Sequence, residues 1–179
     1  AAAFGQVIDA KSPYTSGHSE RVGDYACNLG SELGLEQVDI RPLRRAALLH
    51  DVGKLGVSSS ILEKPGKLDD QEWSAMRGHA AHTAEILGRI APLRDMAMIA
   101  ASHHERLDGK GYPLGLDESL LAIEARIITV CDFFDALTAD RPYRSALSAE
   151  QAFEIMEREA GTAIDRRCLS ALQRCVNRT

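Results

Sequence analysis

Residues 122–139 read AIEARIITVCDFFDALTA, and their spacing decides the fold class. Ile123, Ile127, Val130, Phe134 and Leu137 recur at three- and four-residue steps, which makes one apolar stripe along a helix. Glu124, Arg126, Asp132 and Asp135 interrupt the stretch, so it cannot supply the roughly 18 apolar residues of a membrane span. Asp132 sits between Val130-Cys131 and Phe133-Phe134. A carboxylate flanked so closely by core residues needs a neutralising partner, either a helix-packing salt bridge or a metal.

Working outward, the remainder also reads helical. Ser16 to Leu33 carries Val22, Tyr25, Ala26, Leu29 and Leu33, with Gly34 as a stop. Val38 to His50 continues with Leu43, Ala46, Ala47 and Leu49, and Pro42 lies near its start. Gly53, Gly56 and Ser58–Ser60 mark a loop, and Pro65-Gly66 a turn. Asp69 or Asp70 caps a helix through Trp73 and Met76. A further helix is expected over His79–Ile90, and another from Pro92 to His104. Asp108 to Asp117 is a long ordered loop. Ser148 and Asp165 cap the last two helices. No run alternates with period two. The expectation is a single all-α domain with Trp73 and Phe133-Phe134 in its core.

The 179 residues suffice for one domain with a real core. The 45% hydrophobic and 26% charged fractions exclude wholesale disorder. A net charge of -5 argues against extended duplex DNA binding, but not against a small phosphorylated ligand in a locally basic pocket. Cys27, Cys131, Cys168 and Cys175 form no CxxC pair and read as reduced thiols of a cytoplasmic protein. There is no signal peptide and no starting Met, so the chain reads as a piece of a longer protein.

The six histidines carry the chemistry. His50-Asp51 ends a helix, where neighbouring side chains can converge; the carboxylate can bridge two cations while the imidazole binds one. Alone, such a pair is also an ordinary surface dipeptide. His103-His104-Glu105 closes another helix, His79 and His82 lie one turn apart, and His18 sits early in the first long helix.

Together these residues resemble one family. His50-Asp51-Val52-Gly53-Lys54 is similar to the HDxGK signature of the HD superfamily of metal-dependent phosphohydrolases. His103-His104-Glu105-Arg106-Leu107-Asp108-Gly109-Lys110-Gly111-Tyr112-Pro113 resembles the HHExxDGxGYP signature of its HD-GYP subfamily. Pro13 to Arg21, Ala125 to Thr138 and Arg141 to Arg144 resemble further blocks, so the likeness spans about Gly5 to Leu172. The resemblance implies a helical HD-domain bundle over residues 1–179 with an ordered GYP loop, cut from a protein with an N-terminal sensory or receiver domain. It implies a phosphodiesterase that hydrolyses cyclic di-GMP to pGpG or GMP.

Carried over by position, the implied metal ligands are His18, His50, Asp51, His79, His103, His104 and Asp132, with Asp51 as the bridge. Which ligand faces which ion is left open. Asp51 and Lys54 are the implied catalytic residues; Lys54, Arg141, Arg144, Gly111, Tyr112 and Pro113 the implied substrate contacts. Arg144 stands where Lys is common, and Arg suits a phosphate equally well. Tyr14 stands where some members carry a Glu ligand for a third metal, so two ions are expected and not three. Five imidazoles and two carboxylates without a thiolate suit transition metals, and the resemblance favours iron, with manganese as the alternative. The mechanism implied is attack of a metal-bridging hydroxide on phosphorus. His82 is the spare histidine, Asp135 either supports a ligand or pairs along its helix, Glu105 and Asp108 hold the loop or orient ligands, and Arg126 is a structural ion-pair partner. Expected partners are diguanylate cyclase (GGDEF) domains at the GYP loop and a second copy in a homodimer. Two readings compete with this one: an HD phosphohydrolase for another nucleotide such as a cyclic GMP-AMP dinucleotide, and a non-catalytic binding module.

Overall fold

A computed structural model describes residues 1–11, 17–140 and 145–178. Among them run α1 (Ala2–Lys11), α2 (His18–Glu32), α3 (Gln37–Leu49), α4 (Ser59–Leu62), α5 (Asp70–Gly88), α6 (Ala97–Ala101), α7 (Ile123–Thr138), α8 (Ala149–Glu159) and α9 (Arg166–Val176). The described residues hold no strand, only two isolated bridges, Asp108 with Asp117 and Ala160 with Ile164. The all-α reading therefore holds, and its decisive stretch is central. Helix α7 buries Ala125, Ile127, Ile128, Val130, Cys131 and Phe134 and packs against α2, α8 and α9. Leu29, Leu43, Leu49, Met156, Leu169 and Leu172 close the core around it. Each fully buried side chain of this size contributes about 1.5–3 kcal/mol.

Several boundaries differ from expectation. Helix α1 carries no strong sequence signal and forms because its Gly5, Ile8 and Asp9 face is buried. The two helices expected to meet at His79 are one, α5. Asp69 starts it with a reciprocal box in which its carboxylate accepts from Gln71 and Glu72, and Glu72 accepts from the Asp69 amide. Gly78 in its interior lowers helix propensity without ending the helix. The helix expected from Pro92 to His104 is instead three short pieces: a 3-10 turn at Ala91–Met96, then α6, then a 3-10 turn at Ser102–His104. Trp73 does not join the core; it is 46% exposed on α5.

Packing at the end of α3 brings the site together. After His50 and Asp51 the chain winds through a 3-10 turn, Val52–Gly56, laid against α5. A Cβ at Gly53 would sit 1.9 Å from the His79 carbonyl oxygen, so only glycine permits the approach. Buried Thr83 sews the same seam: its hydroxyl donates to the His50 carbonyl (2.9 Å) and accepts from the Gly53 amide (3.0 Å). Lys11 holds the other side, donating to the carbonyls of Lys54 (2.9 Å), Leu55 (2.7 Å) and Val57 (2.8 Å).

Candidate metal centre

The fold converges all seven expected ligand residues. The ligand atoms of His18, His50 and Asp132 lie within 4.8 Å of one another, and so do those of His79, His103 and His104. Asp51 stands between the two groups. Its Oδ2 is 3.5 Å from His50 Nε2 and 3.8 Å from His18 Nε2, while its Oδ1 is 3.5 Å from His79 Nε2 and 3.8 Å from His103 Nε2. The structure thus sorts the ligands into two halves, a division that sequence spacing leaves open.

The ring orientations are set by the backbone. Nδ1 of His50 donates to the Ala47 carbonyl (2.7 Å), that of His79 to Met76 (2.5 Å) and that of His103 to Ala100 (2.7 Å). A carbonyl only accepts, so each Nδ1 carries a proton and each Nε2 points inward. His18 follows the same rule through a carboxylate. Its Nδ1 meets Asp135 Oδ2 at 2.7 Å, and Arg21 holds Asp135 with bonds of 2.6 and 3.0 Å.

The consequence is an electrostatic deficit. Nε2 atoms of His18 and His50 face each other at 3.3 Å, and those of His79 and His103 at 3.5 Å; the lowered pKa values of His79 and His103 leave no proton between the latter two. Asp51 Oδ1 is buried with no hydrogen-bond partner. Opposed lone pairs beside an orphaned carboxylate oxygen are what a bound cation relieves. Five imidazoles with two carboxylates fit divalent transition ions.

The protonation states agree. Burial, with the neighbouring imidazoles, holds His103 and His104 well below the ordinary histidine value, and burial lowers His79 too. Burial opposes ionisation of Asp51, but Lys54, His50, His103 and His79 outweigh it and keep the carboxyl well below the usual carboxylate range. His18 is the exception. Burial lowers its pKa, but the bond to Asp135 and the charges of Asp132 and Asp51 raise it above the ordinary value.

The surroundings hold the other expected residues. Lys54 Nζ pairs with Asp51 Oδ2 at 2.5 Å, so it stands at the seam between the halves. Buried Glu105 straps the glycine-rich loop by accepting from the Leu114 (2.6 Å) and Leu116 (2.9 Å) amides. Gly111 passes so close that a Cβ would sit 2.4 Å from Glu105 Cα. The Tyr112 amide donates to the His104 carbonyl (3.2 Å), its ring lies 4.8 Å from that of His104, and the Tyr112–Pro113 peptide is cis. Arg126 pairs with Asp165 at 3.0 Å, and Asp108 with Arg106 at 2.9 Å, as structural partners. His82 is half-buried against Gly56 and belongs to neither ligand group. Tyr14, Arg141 and Arg144 lie outside the described residues. Lys11, Thr83 and Thr129, whose hydroxyl donates to the His103 carbonyl (2.9 Å), carry no motif signal and emerge only from the fold. A cavity of about 400 Å³ opens beside the cluster, walled by His103, His104 and Asp132 on one side and Phe133, Ala136 and Leu137 on the other.

Comparison with known proteins gives concordant results. The family described as "HD domain" matches residues 3–168. The 3'3'-cGAMP-specific phosphodiesterase 3 of Vibrio cholerae is 52% identical over 175 residues, covering 98% of this chain and 38% of that protein. The cyclic di-GMP phosphodiesterase response regulator RpfG of Xanthomonas campestris is 38% identical over 171 residues, covering 94% of this chain and 45% of that protein. Among solved structures, a Vibrio cholerae cyclic GMP-AMP specific phosphodiesterase (V-cGAP3) aligns with a TM-score of 0.61 at 47% identity, over 98% of this chain and 39% of that one. The chain spans less than half the length of these relatives. No described helix is long and apolar enough to cross a membrane.

Proposed function

The chain belongs to the HD domain family, and from that premise we propose that it is a metal-dependent phosphodiesterase of the HD-GYP type that opens a cyclic dinucleotide. One observation carries the reading: the inward Nε2 atoms of His18, His50, His79 and His103 around the buried Asp51 carboxylate, whose Oδ1 has no hydrogen-bond partner. His18, His50 and Asp132 would hold one divalent ion, His79, His103 and His104 the other, and Asp51 would face both. Such ions, when bound, lower the pKa of a shared water and neutralise charge on the phosphoryl oxygens. The imidazole-rich, thiolate-free donor set suits divalent transition metals in general; the resemblance to the HD-GYP subfamily favours iron among them, with manganese the alternative.

The chain's own residues do the rest. The backbone carbonyls and Asp135 keep His50, His79, His103 and His18 in the orientation that turns Nε2 inward. Lys54 holds Asp51 ionised and stands ready to exchange that carboxylate for a substrate phosphate oxygen. Arg141 and Arg144 are proposed as the remaining phosphate contacts. The apolar wall of the 400 Å³ cavity, Phe133, Ala136 and Leu137, supplies the dry side against which a nucleoside packs. Tyr112 and Pro113 border the same site through His104.

For the substrate, 3'3'-cGAMP stands first and cyclic di-GMP second, because the 52%-identical relative is named for the former and the 38%-identical one for the latter. The test is metal content of anaerobically purified protein together with chromatographic identification of products from both dinucleotides. Two ions per chain with a linear dinucleotide or mononucleotides as products supports the reading. Tight binding at full metal occupancy without hydrolysis would replace it with a binding module.

A further inference from the structure

Tyr112 leans on a ligand imidazole, and a chain of ring and cation contacts continues from it to the surface. Its ring lies 4.8 Å from that of His104. The guanidinium carbon of Arg77 stands 5.8 Å from the Tyr112 ring centre on one side and 5.7 Å from the Trp73 ring centre on the other. Trp73 and Arg77 are one helical turn apart on α5, the helix that also carries His79. Trp73 is 46% exposed, although tryptophan in a helical bundle is ordinarily buried. Arg77 makes no ion pair among the described residues, in a chain with 26 acidic side chains to choose from. An exposed indole and a guanidinium without an ion pair among the described residues, 5.7 Å apart and joined through Tyr112 to His104, form a surface with a chemistry of its own.

Aromatic faces and arginine planes are what unstacked bases pack on. The arginine fork donates two parallel hydrogen bonds, which match the O6 and N7 acceptors of guanine. Adenine offers N7 but turns an N6 amino donor where O6 would be, so the same fork meets a donor with a donor. We propose that Trp73 and Arg77 form a base-reading platform for one guanine of the cyclic dinucleotide, with Trp73 stacking on the base and Arg77 pairing with its O6 and N7. This rests on the proposed function. Both dinucleotides carried forward there contain a guanine, whereas cyclic di-AMP contains none. The site therefore accepts cyclic di-GMP and 3'3'-cGAMP and rejects cyclic di-AMP.

Trp73 is the only tryptophan in the chain, so its emission reports on its own stacking. The experiment titrates the metal-loaded protein with hydrolysis-resistant phosphorothioate analogues of the three cyclic dinucleotides, and follows turnover of the natural compounds in parallel. The two guanine-containing ligands should quench Trp73 and bind about tenfold more tightly than the diadenosine ligand, the modest end of what one bidentate pair discriminates. Arg77→Ala should remove that preference, with metal content and melting temperature at their original values. Arg77→Lys keeps the charge and loses the fork, so it should fail like Arg77→Ala. Full rescue by lysine, equal weakening of all three ligands in Arg77→Ala, or unchanged Trp73 emission at saturation would each overturn the platform. If the original chain turns over cyclic dinucleotides while one of these results is found, the platform alone falls. If it turns over none of them, the proposed function fails and the platform with it.

Discussion

The two halves of the candidate metal centre both rely on imidazoles but differ in how they are held. His79, His103 and His104 form an all-imidazole half, oriented largely by carbonyls of their own segments and desolvated until their pKa values lie below the ordinary histidine value. His18, His50 and Asp132 form a mixed half, and its His18 is oriented by Asp135 on α7, a residue 117 positions away. That carboxylate, with Asp132 and Asp51, raises the pKa of His18 above the ordinary value. The first half is therefore proton-poor, with His79 and His103 oriented locally; the second joins a locally oriented His50 to a His18 that is oriented across the fold and takes a proton more readily. Proton competition at a metal site follows ligand basicity, so the halves should differ in what loosens them.

The largest effect is expected where the halves meet. Asp51→Ala removes the one carboxylate that faces both. It should abolish turnover and strip metal from both sites while far-ultraviolet circular dichroism keeps its helical signature. Retained cyclic dinucleotide hydrolysis in that variant would sink the assignment. Next, Gly53→Ala places a methyl 1.9 Å from the His79 carbonyl and forces the turn off α5. A loss of about 3 kcal/mol is expected, read calorimetrically as a melting temperature lower by roughly 10 °C. An unchanged melting point would mean that the seam between the halves is loose.

Asp135→Asn separates the halves. The amide can offer a donor where His18 Nδ1 needs an acceptor, and so can invert the tautomer. Metal affinity should fall by about ten- to a hundredfold at the His18 half alone, so metal analysis should find one ion retained per chain. Loss of both ions together would break the comparison. The smallest effect is one of pH. A group with a raised pKa takes its proton first as pH falls, so on acidification from neutrality downward the His18 half should lose metal before the half whose His103 and His104 lie well below the ordinary histidine value. Equilibrium dialysis across that range should show two separate losses; a single concerted one would show that the halves act as a unit.

Much of this was legible in the residues themselves. The stripe through Ile123, Ile127, Val130, Phe134 and Leu137 declared a buried helix because a 3.6-residue period survives in sequence order. Asp69, Ser148 and Asp165 announced helix starts because capping is a contact between residues two and three apart. His103-His104 and His50-Asp51 stood out for the same local reason. Trp73 misled because its apolar bulk argues for the core, whereas its position on α5 faces outward beside Arg77. Helix α1 went unread because its inner face is small and only its packing on α2, α3 and the Val52–Gly56 turn makes it a face. Lys11, Thr83 and Thr129 resemble any surface lysine or helical threonine until the carbonyls they bind are in place.

The sequence by itself determined the class of fold and the family, since both rest on short-range spacing or on motifs contiguous in the chain, and its resemblance to that family named the candidate ligands. Only the tertiary structure decided how those ligands divide between the two halves, which nitrogen each imidazole offers, and that an indole and a guanidinium stand beside them. Those matters depend on contacts across dozens of residues: His18 with Asp135, Gly53 with His79, Arg77 with Tyr112. Such distances are set by how helices pack, and no periodicity along the chain encodes them.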